Sequence, residues 1–369
     1  MIQGPLSEAE RIDWLRLVRT PRVGPVTFQQ LLAKFGSAGA ALEALPGLMT
    51  SGGRKQSLAA PPRDAVAREI EQTEAIGGRV IAACDPDFPP ALGAIDPPPP
   101  VLTVLGHTDL FKRPAIAIVG ARNASAAGRK IARDMSAELS ASGYVVVSGL
   151  ARGIDGEAHA AALSKGTIAV LGGGIDHIYP PQHEDLYRAI ASDGLIVSES
   201  PLGHRATAKD FPRRNRLVTG LALGTVVVEA AERSGSLISA RSAGEQGREV
   251  MAVPGSPLDP RAAGTNRLIR QGAALVRSAE DVIEIVSSLG GVRIEAGRSS
   301  RFQSAPDLDR PPPEQVQRVV EALAPYPMPI DEIARAADIG PARCAAILME
   351  LELAGEAETL PGGLALKTV

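Results

Sequence analysis

The sequence predicts an α/β protein: an extended Rossmann-like, doubly wound sheet with a helical module before it and a winged helix after it. Between Pro114 and about Ser288, short β-branched runs alternate with helical stretches, which is typical of a mainly parallel sheet with helices on both faces. Residues 8–50 are predicted to be helical, and three short helices and a hairpin are predicted after the sheet region. A chain of 369 residues can bury cores for two or three such domains.

The predicted sheet contains two groups of strands. Two early runs, Arg79–Ala83 and Val101–Leu105, flank a proline-rich stretch that cannot be helical, so we expect them to extend the sheet. The parallel strands are predicted at Ala115–Val119, Tyr144–Val147, Thr167–Leu171, Leu195–Ser198, Thr225–Val228 and Glu249–Val253. Helices are predicted between them at Ala126–Ala141 and Asp155–Ser164.

The predicted domain boundaries are 1–75 for the helical module, 76–290 for the sheet domain, 291–313 for a linker and 314–369 for the winged helix. In the first module, Pro21–Pro25 followed by Leu31–Gly36 indicates a helix-hairpin-helix or sterile-alpha-motif-like unit. The linker has many Gly, Ser and Pro residues and little apolar periodicity. The winged helix is predicted from helices at Glu314–Leu323, Ile330–Ala337 and Pro341–Leu353 and a hairpin at Thr359–Lys367.

The bulk composition excludes several classes of protein. The formal net charge is -3, so any contact with nucleic acid must be a local patch. Cys84 and Cys344 lack disulfide or metal-type spacing, which fits a reducing cytoplasm. No basic-then-apolar leader begins the chain, and the uncharged run Leu217–Val228 is shorter than the roughly 20 residues that span a bilayer, so no membrane insertion is expected.

The basic octet Lys209–Arg216 surrounds Phe211 and is the strongest local signal. Pro201–Gly220 holds five basic residues against one acid, a local balance of +4. Pro212 suits the first turn of a helix, which would place the arginines at its positive end, where a phosphate is favoured. Guanidinium groups can clamp phosphate oxygens, and Phe211 can stack on a base. The alternative is a solvated basic helix end with a core phenylalanine.

Glycine, serine and arginine cluster where the predicted strands end, which is where ligands bind in a doubly wound sheet. These segments are Gly120–Arg122, Ser148–Asp155, Gly172–Gly174 and, after Glu229, Ser234–Leu237. Each segment is weak evidence alone, because its arginines could form structural ion pairs and its serines could be plain helix caps. Their shared edge predicts one anion-binding site.

Three titratable residues near the strand ends have more than one interpretation. Asp155 is expected to cap its helix, and His159 is expected to be packed rather than catalytic. Glu229 could be a general base or an acid that orients arginines. The chain has no Walker loop, no G-x-G-x-x-G after the first strand, no G-x-S-x-G elbow and no H-E-x-x-H, and its five histidines lack ligand spacing. No catalytic residue, metal or cofactor is predicted.

Together these motifs resemble those of the DNA-processing protein A (DprA/Smf) family of bacterial single-stranded-DNA binders. The match covers roughly residues 79–277, and the order and spacing of its motifs are specific. The motifs are Ile118–Arg122, Ser148–Asp155, Tyr179–Pro180, Phe211–Arg216, Ser234–Leu237, Gly247–Val250 and Gly264–Asn266. One departure is Ala121, where many relatives carry serine, so a hydroxyl that could bond a phosphate is missing.

The resemblance implies a strand-end pocket that holds single-stranded DNA, partnership with the RecA recombinase in natural transformation, and a homodimer through the central domain. By motif, Arg122 and Arg152 would contact phosphate, and Phe211 would face a base. Lys209, Arg213 and Arg216 would supply charge. The implied DNA-binding set is Gly120, Arg122, Ser148, Gly149, Arg152, Gly153, Lys209, Phe211, Arg213, Arg214, Asn215, Arg216, Ser234, Gly235, Ser236 and Leu237.

The leading hypothesis is a non-enzymatic protein that protects incoming single strands and passes them to RecA. A rival is a nucleotide-acting enzyme similar to the lysine-decarboxylase-like phosphoribohydrolases, with Arg122 and Glu229 as its pair, although Leu223–Glu229 lacks their Pro-Gly-Gly. A third interpretation is an adaptor that acts through its terminal modules. The segment Pro311–Val369 holds four basic residues against nine acids, so the winged helix is expected to contact protein or to pack on its own chain.

Overall fold

Nine strands form one mixed sheet at the centre of the described chain, which comprises residues 6–49, 59–288, 311–360 and 363–368 of a computed structural model. The strands are β1 (Gly78–Ala82), β2 (Val101–Gly106), β3 (Ala115–Val119), β4 (Val145–Ser148), β5 (Thr167–Val170), β6 (Leu195–Ser198), β7 (Gly224–Val227), β8 (Glu249–Ala252) and β9 (Ala274–Leu275). Their order is β1-β2-β6-β5-β4-β3-β7-β8-β9; β2 is antiparallel to both neighbours and the other pairs are parallel. The predicted strands are confirmed, and β9 is additional.

Four helices precede the sheet: α1 (Glu8–Arg19), α2 (Pro25–Phe35), α3 (Ala38–Met49) and α4 (Arg63–Ala75). The Trp14 ring lies 5.0 Å from the Phe28 ring in the core of this helical module. Trp14 Nε1 also donates to the carbonyl of Pro100, and the Arg11 guanidinium pairs with Asp85 at 2.6 Å. The helical module is therefore attached directly to the sheet domain.

The sheet domain contains the helices α5 (Pro90–Gly93), α6 (Ala126–Ala141), α7 (Ile154–Ala162), α8 (Glu184–Asp193), α9 (Asp210–Gly220), α10 (Ser236–Glu245), α11 (Ala263–Arg270) and α12 (Ala279–Ser288). They cover both faces of the sheet. Along β3, Ala115, Ala117 and Val119 face one core, and Ile116 and Ile118 face the other. Burial on both faces explains why this strand is apolar throughout.

The last domain is a winged helix, as predicted. Its helices are α13 (Pro313–Ala322), α14 (Ile330–Ala336) and α15 (Pro341–Ala354), and its small sheet has the order β10 (Met328–Pro329), β12 (Leu364–Lys367), β11 (Ala357–Leu360). The predicted hairpin is confirmed, although its first strand begins at Ala357 rather than Thr359. Residues 291–310 of the predicted linker lie outside the described residues, so that boundary stays a prediction.

The winged helix packs against the helical module through α15. Met349 and Leu353 of α15 join the apolar core of the module. The Glu352 carboxylate accepts a hydrogen bond from the Thr27 hydroxyl of α2 (2.6 Å), and Lys34 lies 3.6 Å from Glu350. Of the two roles left open for this acidic domain, packing on its own chain is what the structure shows.

Candidate nucleic-acid interface

The strand-end edge is formed by the parallel strands β6, β5, β4, β3, β7 and β8, whose carboxyl ends lie side by side. The chain winds from β3 through β4 and β5 to β6, and then returns to β7 on the other side of β3. In doubly wound folds, such a reversal leaves the crevice in which ligands usually bind. Here that crevice lies between β3 and β7.

The crevice between β3 and β7 is filled by the protein's own carboxylate. Glu229, just after β7, accepts hydrogen bonds from the amide N–H (2.9 Å) and the hydroxyl (2.5 Å) of Ser125, the N-cap of α6. A Cβ on Gly128 would lie 2.5 Å from the Glu229 carboxyl carbon. A negative charge therefore already sits at the positive end of α6, where a phosphate would otherwise be favoured. Glu229 binds a helix end, a role that differs from both interpretations of the sequence.

The loop that follows β4 has a strained backbone held by its neighbours. Leu150 has a φ of 55°, which is unfavourable for a residue with a Cβ, and Gly153 has a φ of 80°. The Asp155 carboxylate accepts hydrogen bonds from the amide groups of Gly149 (3.1 Å) and Ala151 (3.3 Å). The N-cap of α7 is Gly153, so the expectation that Asp155 caps this helix is corrected: it shapes the loop instead.

His159 of α7 is fully buried beneath this loop. Its Nδ1 lies 2.7 Å from the Thr167 hydroxyl, and that hydroxyl donates to the carbonyl of Val146, so Nδ1 must carry the proton. Nε2 therefore accepts the amide N–H of Leu150 at 3.3 Å. Burial lowers the pKa of His159 to about 3, which keeps the ring neutral. The predicted packed histidine is confirmed.

Two predicted DNA contacts, Arg214 and Ser148, lie below the surface, with 6% and 0% of their area exposed. The Arg214 guanidinium donates to the carbonyl of Val170 and is attracted by the buried Asp155 carboxylate. A Cβ on Gly149 would collide with this guanidinium, which explains the glycine. Burial lowers the pKa of Arg214 to about 10, so it stays charged at neutral pH. The expectation of direct contacts by these two residues is corrected to support of the loop.

Two further glycines of the motifs let the loops after β3 and β4 touch. A Cβ on Gly120 would lie 2.6 Å from the side chain of Ile154, and Gly153 packs against the carbonyl of Ala121. The amide of Ile154 also donates to the Ala121 carbonyl at 3.3 Å. Because the two loops are joined, Arg122 of the loop after β3 and Arg152 of the loop after β4 face the same pocket.

Phe211 lies in the first turn of α9 and forms one wall of that pocket. The Arg122 guanidinium carbon lies 5.1 Å from the centre of the Phe211 ring, a cation–π distance. The Tyr179 ring lies 5.6 Å from Phe211, tilted by 45°, and is 45% exposed. The pocket is lined by Arg122, Gly149, Ala151, Arg152, Leu171, Gly172, Gly173, His177, Tyr179, Pro180, Ala206 and Phe211. Loops after four strands and the start of α9 therefore meet around one aromatic pair.

The remaining predicted cations take different positions around α9. Lys209 and Arg213 are exposed, and Arg213 lines a second cleft of about 230 Å³ between the helical module and the strand ends. The Arg216 guanidinium pairs with Glu199 and has only 12% of its side chain exposed. Because Glu199 already compensates the charge of Arg216, the structure does not support the prediction that Arg216 contacts DNA phosphates. Asn215 is half-buried on the same helix.

The predicted Ser234–Leu237 turn lies at the start of α10, beyond β7. The hydroxyls of Ser234 and Ser236 are 2.7 Å apart, and Leu237 packs against the apolar core. In the described part of the chain, this turn, which includes Gly235, lines neither the Phe211 pocket nor the clefts on either side of it. A DNA contact there stays a prediction. The alternative that the serines are plain helix caps is corrected, because the N-cap of α10 is Gly235 and no side-chain hydrogen bond caps the helix.

Three residues at this edge have no role in the sequence-based prediction. Tyr179 pairs with Phe211, His177 lines the same pocket, and Arg129 lines a neighbouring cleft. Tyr179 belongs to a motif of the family resemblance, and that signal could have identified it. Arg129 belongs to none of the motifs, so only the packing of α6 reveals it.

The fold and the site together define a Rossmann-like nucleic-acid-binding protein with a helical module and a winged helix. Within the ranges that the structure describes, no helix is both long and apolar enough to cross a bilayer. Three family models match the sequence: DNA recombination-mediator protein A over residues 79–287, the DprA-like N-terminal HHH domain over 8–72 and the DprA winged helix domain over 303–363. The chain belongs to the DNA-processing protein A (DprA/Smf) family.

Individual relatives agree with this assignment. The DNA processing protein DprA of Bacillus subtilis is 40% identical over 277 residues, which cover 71% of this chain and 92% of the relative. Protein Smf of Escherichia coli is 38% identical over 307 residues, covering 82% and 81% of the two chains. The structure of Streptococcus pneumoniae DprA superposes with a TM-score of 0.63 at 33% identity, over 76% of this chain and 98% of that one.

The Helicobacter pylori DNA processing protein A, whose structure was described for its single-stranded DNA binding mode, is also similar. It superposes with a TM-score of 0.53 at 30% identity and covers 57% of this chain and 96% of its own length.

Proposed function

We propose that this protein binds single-stranded DNA in the Phe211 pocket, protects incoming strands and transfers them to the RecA recombinase, without catalysing a reaction itself. The observation that carries the proposal is the aromatic pair Phe211–Tyr179 beside two exposed arginines, Arg122 and Arg152. Among the described residues, neither arginine forms an ion pair with an acid. Free guanidinium groups suit phosphates, and the half-buried Phe211 ring and the exposed Tyr179 ring suit stacked bases.

The aromatic pair favours single strands over duplexes. In a duplex the faces of the bases are covered by their neighbours, so a base must be unpaired and unstacked before it can stack on Phe211 or Tyr179. Similarity to the Helicobacter pylori protein, known for its single-stranded DNA binding mode, agrees with this choice.

The geometry supports a binding protein rather than the rival phosphoribohydrolase. That enzyme, with Arg122 and Glu229 as its pair, would need Glu229 free as a base. Both oxygens of Glu229 are instead bonded to Ser125, and the carboxylate occupies the anion position. We therefore expect no release of free base from nucleoside monophosphates by the purified protein, and detectable release would revive the enzymatic interpretation.

The central test compares affinity for single- and double-stranded oligonucleotides by fluorescence anisotropy. Phe211→Ala should cost about 1 to 3 kcal/mol, or roughly 5- to 150-fold in affinity, if one base stacks there. The control is Tyr326→Ala, which removes an aromatic ring that is 63% exposed on the winged helix. Full affinity of the Phe211 variant, or equal binding of duplex by the wild type, would contradict the proposal.

Transfer to RecA, a homodimer through the sheet domain and a cytoplasmic location rest on family resemblance and remain proposals. The free thiols of Cys84 and Cys344, whose pKa values are raised by burial to about 11, fit a reducing compartment. Light scattering should give twice the mass of one chain. RecA should polymerise on strands that carry this protein at least as fast as on bare strands, as measured by its DNA-dependent ATPase; slower polymerisation would exclude transfer.

A further inference from the structure

An open cleft of about 680 Å³ adjoins the Phe211 pocket on its α6 side. Its walls come from the loop after β3, the start of α6, α7 and the short 3₁₀ turn before α8. It shares Arg122 and Arg152 with the Phe211 pocket, so the two cavities are continuous. None of the expected DNA-binding residues other than these two arginines and Gly153 lines it.

The cleft is strongly cationic because its arginines are uncompensated. Arg122, Arg129 and Arg152 are all exposed, and no ion pair connects them to an acid within residues 59–288. The one acid in the lining, Glu157, is paired with Arg133 at 2.8 Å. The cleft lining therefore carries three free positive charges and no free negative charge.

The contrast along α6 shows that this is not a general basic surface. Lys130 pairs with Asp134, and Arg133 pairs with Glu157. Arg129, on the same helix, lines the cleft and is the cation left without an acid in this described segment. Lys130 and Arg133 are thus compensated by acids, whereas Arg129, which lines the cleft, is not.

The rest of the lining suits a phosphodiester backbone rather than bases. The floor is made of small residues, Gly153, Gly156 and Ala160, which leave room for a chain to approach. Polar side chains of Asn123 and Gln182 supply hydrogen-bonding groups. The lining contains no Phe, Tyr or Trp ring, and its one imidazole, that of His183, is half-buried with Nδ1 3.1 Å from the carbonyl oxygen of Leu150.

We propose that this cleft, called the Arg129 cleft, binds the phosphates of nucleotides that flank the one stacked on Phe211. The inference rests on the proposed function and extends it: a single strand would cross from the Phe211 pocket over Arg122 and Arg152 into the Arg129 cleft. Recognition is through charge and is independent of base sequence. The site thereby lengthens the bound segment beyond the nucleotides at the aromatic pair.

The test uses oligo-thymidylates of about 4, 8 and 16 nucleotides, which span the usual site sizes of single-strand binders. Arg129→Ala should weaken binding of the longest strand and reduce its log-affinity versus log-salt slope by about 0.7, equivalent to one lost phosphate contact. The shortest strand, held at the Phe211 pocket, should bind as it does to the wild type. Lys130→Ala, which removes a paired charge one position away, is the control and should change neither quantity.

The three arginines could also bind a free phosphate or a mononucleotide. A competition experiment distinguishes that ligand from the phosphates of a DNA strand. Thymidine monophosphate and pyrophosphate should displace the long strand from wild type and from Arg129→Ala equally poorly. Strong displacement that is lost in Arg129→Ala would show a mononucleotide or phosphate site and overturn the proposal. Equal slopes for wild type and Arg129→Ala at every length, or equal loss in Lys130→Ala, would overturn it as well.

The failure of this inference is distinguishable from failure of the proposed function. If wild-type binding depends on Phe211 but not on Arg129, the Phe211 pocket stands and only the cleft is refuted. If single strands do not bind or do not depend on Phe211, the proposed function itself fails. Arg129 is exposed, so thermal melts of its variant should match the wild type and exclude misfolding as the cause.

Discussion

Alanine at Arg213 should flatten the salt dependence of single-strand binding, whereas alanine at Arg216 should leave it nearly unchanged. The two arginines lie on the same helix three residues apart, and sequence alone treats them as equivalent. In the structure Arg213 is exposed beside a cleft, while the Arg216 guanidinium is paired with Glu199. Only a cation that is free to neutralise a phosphate releases counterions on binding.

The magnitude follows from the number of free cations. Each phosphate contact on a single strand contributes about 0.7 to the slope of log affinity against log salt. Two contacting arginines would flatten the slope by about 1.4 in the double variant. With Arg216 compensated by Glu199, the expected values are about 0.7 for Arg213→Ala, near zero for Arg216→Ala and about 0.7 for the double variant. Between about 50 and about 200 mM salt, the Arg213 variant should lose roughly 2.6-fold less affinity than the wild type.

The assay is fluorescence anisotropy of a labelled oligo-thymidylate over a salt series, with wild type and the three variants measured side by side. Thermal melts accompany it, because Arg216→Ala leaves Glu199 half-buried without its cation and should lower the melting temperature. Arg213→Ala removes an exposed side chain and should melt like the wild type. The two variants thus separate loss of DNA contact from loss of stability.

Two results would refute this reasoning. A flattening of about 0.7 in Arg216→Ala, additive with Arg213→Ala, would mean that the Arg216–Glu199 pair opens when DNA binds. An unchanged slope in Arg213→Ala would remove Arg213 from the interface and restrict the phosphate contacts to the loops after β3 and β4.

Three further predictions concern the groups beneath and beside the pocket. In the unfolded chain His159 takes up a proton below about pH 6.5, whereas in the fold it stays neutral, so the free energy of unfolding of the wild type should fall by about 2 kcal/mol between pH 8 and pH 5. In His159→Gln the free energy of unfolding, measured with urea, should fall by about 2 kcal/mol less over the same pH range. The sign is set by the lowered pKa, because the unfolded state binds the extra proton and stability therefore falls as pH falls. Gly149→Ala should displace the Arg214 guanidinium and destabilise the fold by about 1 to 3 kcal/mol, and a neutral effect would show that the guanidinium moves freely. Glu229→Ala should cost about 0.5 to 2 kcal/mol by removing the acceptor of Ser125 at the start of α6, with single-strand affinity retained; lost affinity with unchanged stability would instead place Glu229 in the binding site.

Part of the candidate site was predictable because it depends on local pattern and topology. The alternation of short β-branched runs with helical stretches between Pro114 and about Ser288 indicates a parallel sheet, and the topology of such a sheet brings its strand ends to one edge. That reasoning correctly placed Arg122, Arg152 and Phe211 together. Burial of Arg214 also had a local signal, since Leu217 and Val218 lie three and four residues later, on the same helix face, and both are buried.

Other parts of the site had no local signal. The pairing of Arg216 with Glu199, and the bond from Ser125 to Glu229 across 104 residues, depend on segments that only folding brings together. The same holds for the winged helix, whose acidic charge suggested a protein partner but whose Met349 and Leu353, in α15, pack on the helical module.

The amino-acid sequence by itself determined the principal strands of the sheet, the winged helix and the edge at which arginines and an aromatic ring converge, because these follow from side-chain periodicity and chain direction. The tertiary structure decided which of those charges remain free. A cation can serve a ligand only if no acid from elsewhere in the chain compensates it, and that is a property of three-dimensional neighbours. Arg129 and Arg216 show both outcomes: one is left free by its surroundings, and the other is paired with Glu199.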